Sequence, residues 1–220
     1  VQSELGRAPG LVRTQAERMI DLGHAMVAAQ EELRPPPTWR ELLAYRALDL
    51  TLGARIRRRM GLDRGRIFVS SAAPVDPDLL RWFHAIGIPI AEVYGQTEDC
   101  GPTTMNRPGR IRIGTVGEPL PGLDVRIAPD GEVLVQGPTV CAGYWNDPDA
   151  TSALRDEGWM HSGALGAFDG GYLRIIGRKK DLIVTSSGKN IAPQDMETHL
   201  RAEPFVSQAV VVGDGRKFLT

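Results

Sequence analysis

Apolar side chains along residues 15–33 (QAERMIDLGHAMVAAQEEL) recur at Met19, Leu22, Met26 and Val27, with Leu33 beyond, and that spacing predicts a helix. Pro35-Pro36-Pro37 ends it, because proline lacks the N–H a helix needs and constrains the residue before it. A second helix is expected from Thr38, where Thr38 and Glu41 are spaced as a capping box. Leu42, Leu48, Leu52 and Ile56 carry its apolar stripe towards Met60. Residues 1–60 are thus expected to form a helical arm, and nothing in their pattern suggests chemistry.

From Arg66 the pattern changes. RIFVS (66–70) predicts a short buried strand, followed by the small-residue loop Ser71-Ala72-Ala73-Pro74. Asp76 is placed to cap a helix with Pro77 in its first turn, running through Leu79, Leu80 and Phe83 to about Ala85. Gly87 stops it, and 88–94 form the next strand. A strand–helix–strand unit of this kind implies a parallel sheet with a right-handed crossover, here within an α/β subdomain over 61–121. Such sheets bind ligands beyond the carboxyl ends of their strands, where the loops 71–74 and 95–98 lie.

Residues 111–176 lose the helical pattern. LDVRIA (123–128), the Pro129-Asp130-Gly131 turn and EVLVQG (132–137) predict a hairpin, and Asp169-Gly170-Gly171 precedes another strand, YLRII. A small antiparallel β subdomain over 122–176 follows. Beyond Gly177, a hairpin-like LIVTSSGKNI, a short helix near 193–201 and a strand VSQAVVV (206–212) begin an α+β unit over 177–220.

Composition narrows the classes. With 42% apolar and 24% charged residues in 220, the chain is neither disordered nor collagen-like nor a disulfide-stapled miniprotein. No apolar run approaches the ~20 residues of a membrane helix. Basic and acidic residues nearly cancel (26 and 27), which argues against wholesale nucleic-acid binding. Residues 1–60 hold 10 Arg and 7 acids, including Arg57-Arg58-Arg59, expected as a solvated helix face, with a membrane or nucleic-acid patch as the minor alternative. Cys100 and Cys141 show no metal or CxxC spacing and suit reduced thiols of a cytoplasmic protein. The chain opens at Val1 with no secretory pattern and closes directly after an apolar run, so it is expected to be a piece of something longer.

VYGQTE (93–98) is the most informative stretch. Gly95 lets a ligand approach the backbone, Tyr94 can stack on a base, Thr97 offers a hydroxyl, and Glu98 is a hard oxygen ligand suited to Mg²⁺ held jointly with phosphate oxygens. On spacing alone an ordinary strand-to-loop turn fits equally well. GWMHSGALG (158–166) and GRKKDLIVTSSGKNIAP (177–193) change that balance. With VSSAAP (69–74), VYGQTE, IGTVGEPLPG (113–122) and GEVLVQGPTVCAGYW (131–145) they stand in the order of the adenylate-forming superfamily, and the sequence resembles its long-chain fatty acyl-CoA synthetases. The helical arm fits that branch more loosely.

The resemblance implies a parallel-sheet portion of a large N-terminal domain, the antiparallel β subdomain, and the hinge and start of a C-terminal lid. It implies a ligase that makes an acyl-adenylate from a fatty acid and ATP with Mg²⁺, then passes the acyl group to the thiol of coenzyme A. Ala72, Ala73 and Pro74 would line one side of the adenine pocket, with Tyr94 and Gly95 on the other. Thr97 would meet the α-phosphate, Glu98 hold Mg²⁺ and Arg178 reach the ribose hydroxyls. Lys180 would be the hinge and Gly188 would border the CoA tunnel, where a side chain would obstruct the thiol.

Three departures stand out. The aspartate that normally follows Ser/Thr-Gly in the ribose motif is Ala164 here, and nothing in the sequence shows Asp156 or Asp169 replacing it. The family's phosphate loop should lie upstream and its adenylation lysine downstream, so the 220-residue chain alone is expected to be inactive. Ser186-Ser187-Gly188-Lys189 looks like a phosphate loop but lacks the helix such a cradle requires. Val184 replaces a lysine that many members use in the thioester step. His161 is expected as a hydrogen-bonded strand residue, with a place beside the nucleotide as the alternative, and no zinc spacing or GxSxG elbow occurs. Two alternatives to the ligase remain: a non-catalytic nucleotide- or acyl-binding relative, motivated by Ala164, and a loading domain of a peptide or polyketide synthase. Peripheral membrane contact is compatible with the cytoplasmic expectation.

Overall fold

The structure, a computed structural model, describes residues 10–32, 34–203 and 205–220, with Asp195 described by its backbone only. Leu33 and residues 1–9 of the expected arm lie outside them. The chain divides into two compact units, Val1–Val69 with Pro77–Ala91, and Ser70–Asp76 with Glu92–Thr220.

In the first unit, α1 (Gly10–Gln30) starts earlier than its apolar pattern predicts and buries Ala16, Met19, Gly23 and Val27 along one stripe. Gly23 sits against the Ala85 carbonyl, where any Cβ would collide with backbone. The capping box opens α2 (Trp39–Leu48): Glu41 N donates to Thr38 Oγ1 at 3.3 Å and Thr38 N to Glu41 Oε2 at 2.7 Å. The single helix expected as far as Met60 is broken by a π-helical turn at Asp49–Gly53 before α3 (Ala54–Arg59). Gly53 leaves the room in which the Asp49 carboxylate meets the Arg57 guanidinium, and Arg57 also donates to Ile86 O at 2.8 Å. The arginine run is therefore not uniformly a solvated face: Arg57 turns inward while Arg58 stays exposed. Met19, Ile86 and Ile88 form the core, with Tyr45, Leu52 and Trp82 packed around it.

The strand expected over 66–70 is shorter, β1 (Phe68–Ser70), and Ile67 and Val69 are exposed rather than buried. A helix, α4 (Pro77–Ala85), leads through Gly87 (φ +76) to β2 (Ile90–Gln96). That sheet continues with β3 (Gly101–Met105) and β4 (Glu118–Pro119) in the order β1-β2-β3-β4. β3 is antiparallel to both β2 and β4. The helix joining neighbours β1 and β2 is the connection that a parallel pair needs.

The second sheet follows the hairpin expectation: β5 (Asp124–Ile127) and β6 (Glu132–Gln136) pair from Asp124↔Gln136 to Ile127↔Val133. Its centre is β8 (Trp159–Asp169), flanked by β6 and β7 (Arg155–Asp156) and paired also with β9 (Tyr172–Arg178). Val133, Val135, Met160 and Leu173 form its core. A helix, α5 (Pro148–Leu154), interrupts the region expected to be free of helix; Asp147 caps it by accepting from Ala150 N at 2.9 Å, with proline in the first turn. The hairpin after Gly177 is β10 (Ile183–Val184) with β11 (Asn190–Ile191), followed by α6 (Gln194–Arg201). The strand expected over 206–212 does not form: Val212 and Thr220 exchange backbone hydrogen bonds at 2.8 Å, and no ladder extends from them among the described residues. No described helix is long and apolar enough to cross a membrane.

Candidate nucleotide site

β2 ends in a bulge between Tyr94 and Gly95. A Cβ at Gly95 would collide with the Gly101 carbonyl of β3, so the tight antiparallel partner, rather than ligand approach alone, demands glycine here. The chain then makes one 3₁₀ turn, Thr97–Asp99. The buried Asp99 holds it, accepting from Gln96 N at 2.9 Å and from the Thr103 hydroxyl. Cys100 leaves the turn in the left-handed region (φ +61), and Ala72, in the loop after β1, is also left-handed (φ +73). Both are non-glycine residues carrying backbone strain, a feature that concentrates at functional sites.

This turn presents Thr97 to solvent with Glu98 beside it. Tyr144 donates its hydroxyl to Glu98 Oε1 at 2.7 Å, and Cys141 N donates to Glu98 O at 2.7 Å. The Tyr144 hydroxyl is pushed up to about 12 by that hydrogen bond, with burial adding to it. Among the described residues the second Glu98 carboxylate oxygen accepts no hydrogen bond, and Thr97, the residue before it, is exposed. Magnesium is bound by one or two carboxylates plus substrate phosphates, and this donor set fits it in that manner. Among the described residues no three His, Cys, Asp or Glu form a group that could hold a metal ion on protein ligands alone.

Tyr94 lies deeper. Burial raises its hydroxyl above the ordinary range, and Asp99, Arg178 and Glu132 are close enough to act on it electrostatically. Its oxygen has no aligned hydrogen bond although it is buried. Ser162 is near, but its hydroxyl already donates to Val133 O at 2.6 Å and accepts from Ala164 N at 3.1 Å. An orphaned buried hydroxyl is the kind of group a bound ligand satisfies.

Arg178 ends β9, directly opposite Ala164 in β8. The two positions that resemblance places at the ribose are thus cross-strand partners. Ala164 itself is buried in the apolar cluster with Val133 and Met160. Asp169 is at the far, hairpin end of β8, bound to Arg112 at 2.7 Å, and Asp156 is exposed in β7, so neither stands in for the missing carboxylate.

Ala72, Ala73 and Pro74 lie exposed in their loop. Lys180 lies in a 3₁₀ turn, Lys179–Asp181, immediately after β9. Gly188 sits in the turn of the β10–β11 hairpin at φ +79 with nothing within 4 Å of a Cβ, so the backbone conformation alone already requires glycine. β11 follows that turn directly, which denies Lys189 and its neighbours the helix of a phosphate loop. His161 is the hydrogen-bonded strand residue expected, its Nδ1 3.0 Å from Glu132 Oε2.

The sequence pattern missed Asp99, Tyr144 and Glu132. Glu132 carried the clearest signal, a carboxylate opening the otherwise apolar strand EVLVQ, because a buried charge must find partners. Burial opposes its ionisation, but hydrogen bonds from His161, Gly163 N and Lys179 outweigh that and hold its carboxyl below the usual range.

Comparison with known proteins identifies the family. The AMP-binding enzyme family matches residues 18–145, and the AMP-binding enzyme C-terminal domain matches 180–220. The chain is 44% identical over 178 residues to long-chain-fatty-acid–CoA ligase FadD15 of Mycobacterium bovis, covering 80% of this chain and 28% of that protein. It is 38% identical over 186 residues to long-chain-fatty-acid–CoA ligase ACSBG2 of Xenopus laevis, covering 81% of this chain and 25% of the relative. O-succinylbenzoate CoA synthetase (MenE) of Bacillus subtilis, solved with ATP and magnesium ion, superposes with a TM-score of 0.64 at 32% identity over 70% of this chain and 35% of that one. The same enzyme in complex with AMP gives 0.66 at 29% identity over 79% and 38%. With mixed α/β architecture, motif order and more than half its length matched, the chain belongs to the AMP-binding enzyme family.

Proposed function

We propose that the protein carrying this chain is an ATP-dependent long-chain fatty acid–CoA ligase. The observation that carries the reading is the turn after β2, which exposes Thr97 and holds Glu98 by one oxygen to Tyr144, together with a buried Tyr94 hydroxyl that has no aligned hydrogen bond and lies within electrostatic reach of Arg178. In the first half-reaction a fatty-acid carboxylate oxygen attacks the α-phosphorus of ATP, and pyrophosphate leaves. In the second, the CoA thiol attacks the acyl carbon, forming the thioester and releasing AMP. Ala72, Ala73 and Pro74 would face Tyr94 and Gly95 across the adenine, Arg178 would donate to the ribose, and Thr97 would donate to an α-phosphate oxygen. Glu98 would hold Mg²⁺, which when bound offsets phosphate charge. Tyr144 keeps the Glu98 carboxylate in one rotamer by binding Oε1. Lys180 would be the hinge and Gly188 would border the CoA path.

A second reading, a nucleotide-binding relative without ligase activity, is favoured by Ala164 alone. Glu98→Gln separates the two. It keeps an oxygen for Tyr144 while removing the charge a metal needs. In the full-length protein we expect fatty-acid-dependent pyrophosphate release to fall by about 100-fold or more, the order of loss when a transition-state charge contact is removed, with an unchanged melting temperature. Normal release from the variant would discard the metal assignment. No release from the unsubstituted protein, despite nucleotide binding, would favour the non-catalytic relative.

A further inference from the structure

A buried carboxylate that the proposed reaction does not use lies beside the segment where the C-terminal-domain match begins. Glu132 opens β6 with its side chain only 5% exposed. Oε1 accepts from Gly163 N at 2.9 Å, and Oε2 meets His161 Nδ1 at 3.0 Å and Lys179 Nζ at 3.1 Å. Lys179 also pairs with Asp130 Oδ2, at 2.6 Å, in the β5–β6 turn.

The backbone sharpens the meaning of that contact. Strand pairing on β9 ends at Arg178, opposite Ala164. Lys179 is the first residue beyond the ladder, and residue 180 is the first of the C-terminal-domain match. What ties Lys179 to the sheet is its side chain, held between two carboxylates of which one is buried. The hydrogen bond that Lys179 donates to Asp130, then the one it donates to Glu132, raises the affinity of its amine for the proton, as expected of an ammonium in such a pair. Lys180 is exposed and makes no ion pair among the described residues.

We infer that Glu132 and Asp130 clamp Lys179 as the fixed side of the hinge, so that the C-terminal domain turns from Lys180 onward while Arg178 stays on the ribose. Lys179 is thereby a positioning residue acting through its neighbours on both sides. The same Glu132 fixes Gly163, next to Ala164, so one carboxylate ties the ribose strand and the hinge to a single point on the sheet. A hinge absorbs rotation in a few residues, and a sharp boundary between held and free backbone confines it there. The inference rests on the ligase reading through the role of Lys180.

Lys179→Met and Lys179→Arg test it in the full-length protein. Methionine keeps the stem but not the charge, and leaves the Glu132 contacts to His161 and Gly163 in place. Arginine retains a cation that can bridge both carboxylates. We expect the methionine variant to speed amide hydrogen exchange over 178–183 about tenfold, a local opening effect, with no change across β8. We expect its kcat to fall about tenfold with the KM for ATP changed by less than about twofold, and arginine to restore both readouts. Unchanged exchange, or a defect that arginine does not repair, overturns the clamp. Exchange needs no turnover, so it tests the clamp even if the unsubstituted protein releases no pyrophosphate, a result that would instead overturn the ligase reading.

Discussion

Ala164 is the residue at which the proposed nucleotide site departs from its family pattern. Under the proposed ligase reading a carboxylate at this position would accept from the ribose hydroxyls, and Arg178 is its cross-strand partner in the β8–β9 ladder. In this chain the position is apolar and buried beside Met160. Ala164→Asp would place a charge there, which burial opposes, and the guanidinium directly opposite is the partner that makes it tolerable. In the full-length protein we expect ATP or AMP to bind about tenfold more tightly, from one or two recovered hydrogen bonds of ~1.5 kcal/mol each, at the expense of a lower melting temperature. Titration calorimetry on both forms checks it, and equal affinities would show that the ribose is held without a carboxylate at 164. The opposition of residues 164 and 178 was not legible in the sequence, because the bulge between Leu165 and Gly166 shifts the register that simple counting would assign. That both positions belong to short motifs was legible, since each sits at a fixed place in GWMHSGALG or GRKKDLIVTSSGKNIAP.

At the scale of elements, the most consequential one is the β2 bulge and the turn it feeds. Sequence placed the turn correctly from Gly95 and the apolar run before it, yet gave no sign of β3, whose GPTTM opens with two residues that weaken a strand assignment. The structure supplies the reason for the glycine: the Gly101 carbonyl occupies the space of a side chain. Gly95→Ala must therefore push β3 away and misplace Thr97 and Glu98 together. We expect a loss of about 1–3 kcal/mol in stability, the usual scale of overpacking, read as a lower urea midpoint with an unchanged slope. An alanine variant of native stability would mean that the two strands are not so closely apposed. The same contrast between local signal and tertiary cause runs through the other elements. Thr38 and Glu41 announced α2, and Asp147-Pro148 would have announced α5 had the caps been weighed above the surrounding β pattern. The π turn at Asp49–Gly53 could not be read, since it exists for an ion pair with Arg57 that only folding brings close. Residues 206–212 have strand-like composition but find one pairing, and composition cannot provide a partner.

For the whole molecule, the chain spans 28% of the length of the FadD15 relative, and among the described residues apolar clusters around Met19 and around Val133 each form a core. Stability of such a molecule depends on pH through the groups that folding perturbs. Glu132 is held below the usual carboxylate range, so its contribution is present above its unfolded value and is lost as pH falls through the folded one. Glu92 works in the opposite sense. Burial on β2 pushes its carboxyl up to about 7, only partly countered by the hydrogen bond it accepts from Gly114 N at 3.1 Å. Between the unfolded value, 4.5, and about 7, the folded state binds more protons than the unfolded one at this site, so stability falls as pH rises across that window and then levels. Glu92→Gln keeps an oxygen for Gly114 N and removes the titration. We therefore expect the variant and the unsubstituted protein to melt together near pH 5, and the variant to be more stable near pH 8 by about 1–3 kcal/mol, since each unit of displacement corresponds to about 1.4 kcal/mol. Thermal or urea unfolding of both forms at pH 5, 6.5 and 8 measures the difference, in which every group common to the two proteins cancels. Parallel profiles with no widening gap would show that the Glu92 carboxylate stays ionised in the folded state and that β2 is wetter at that point than its packing implies.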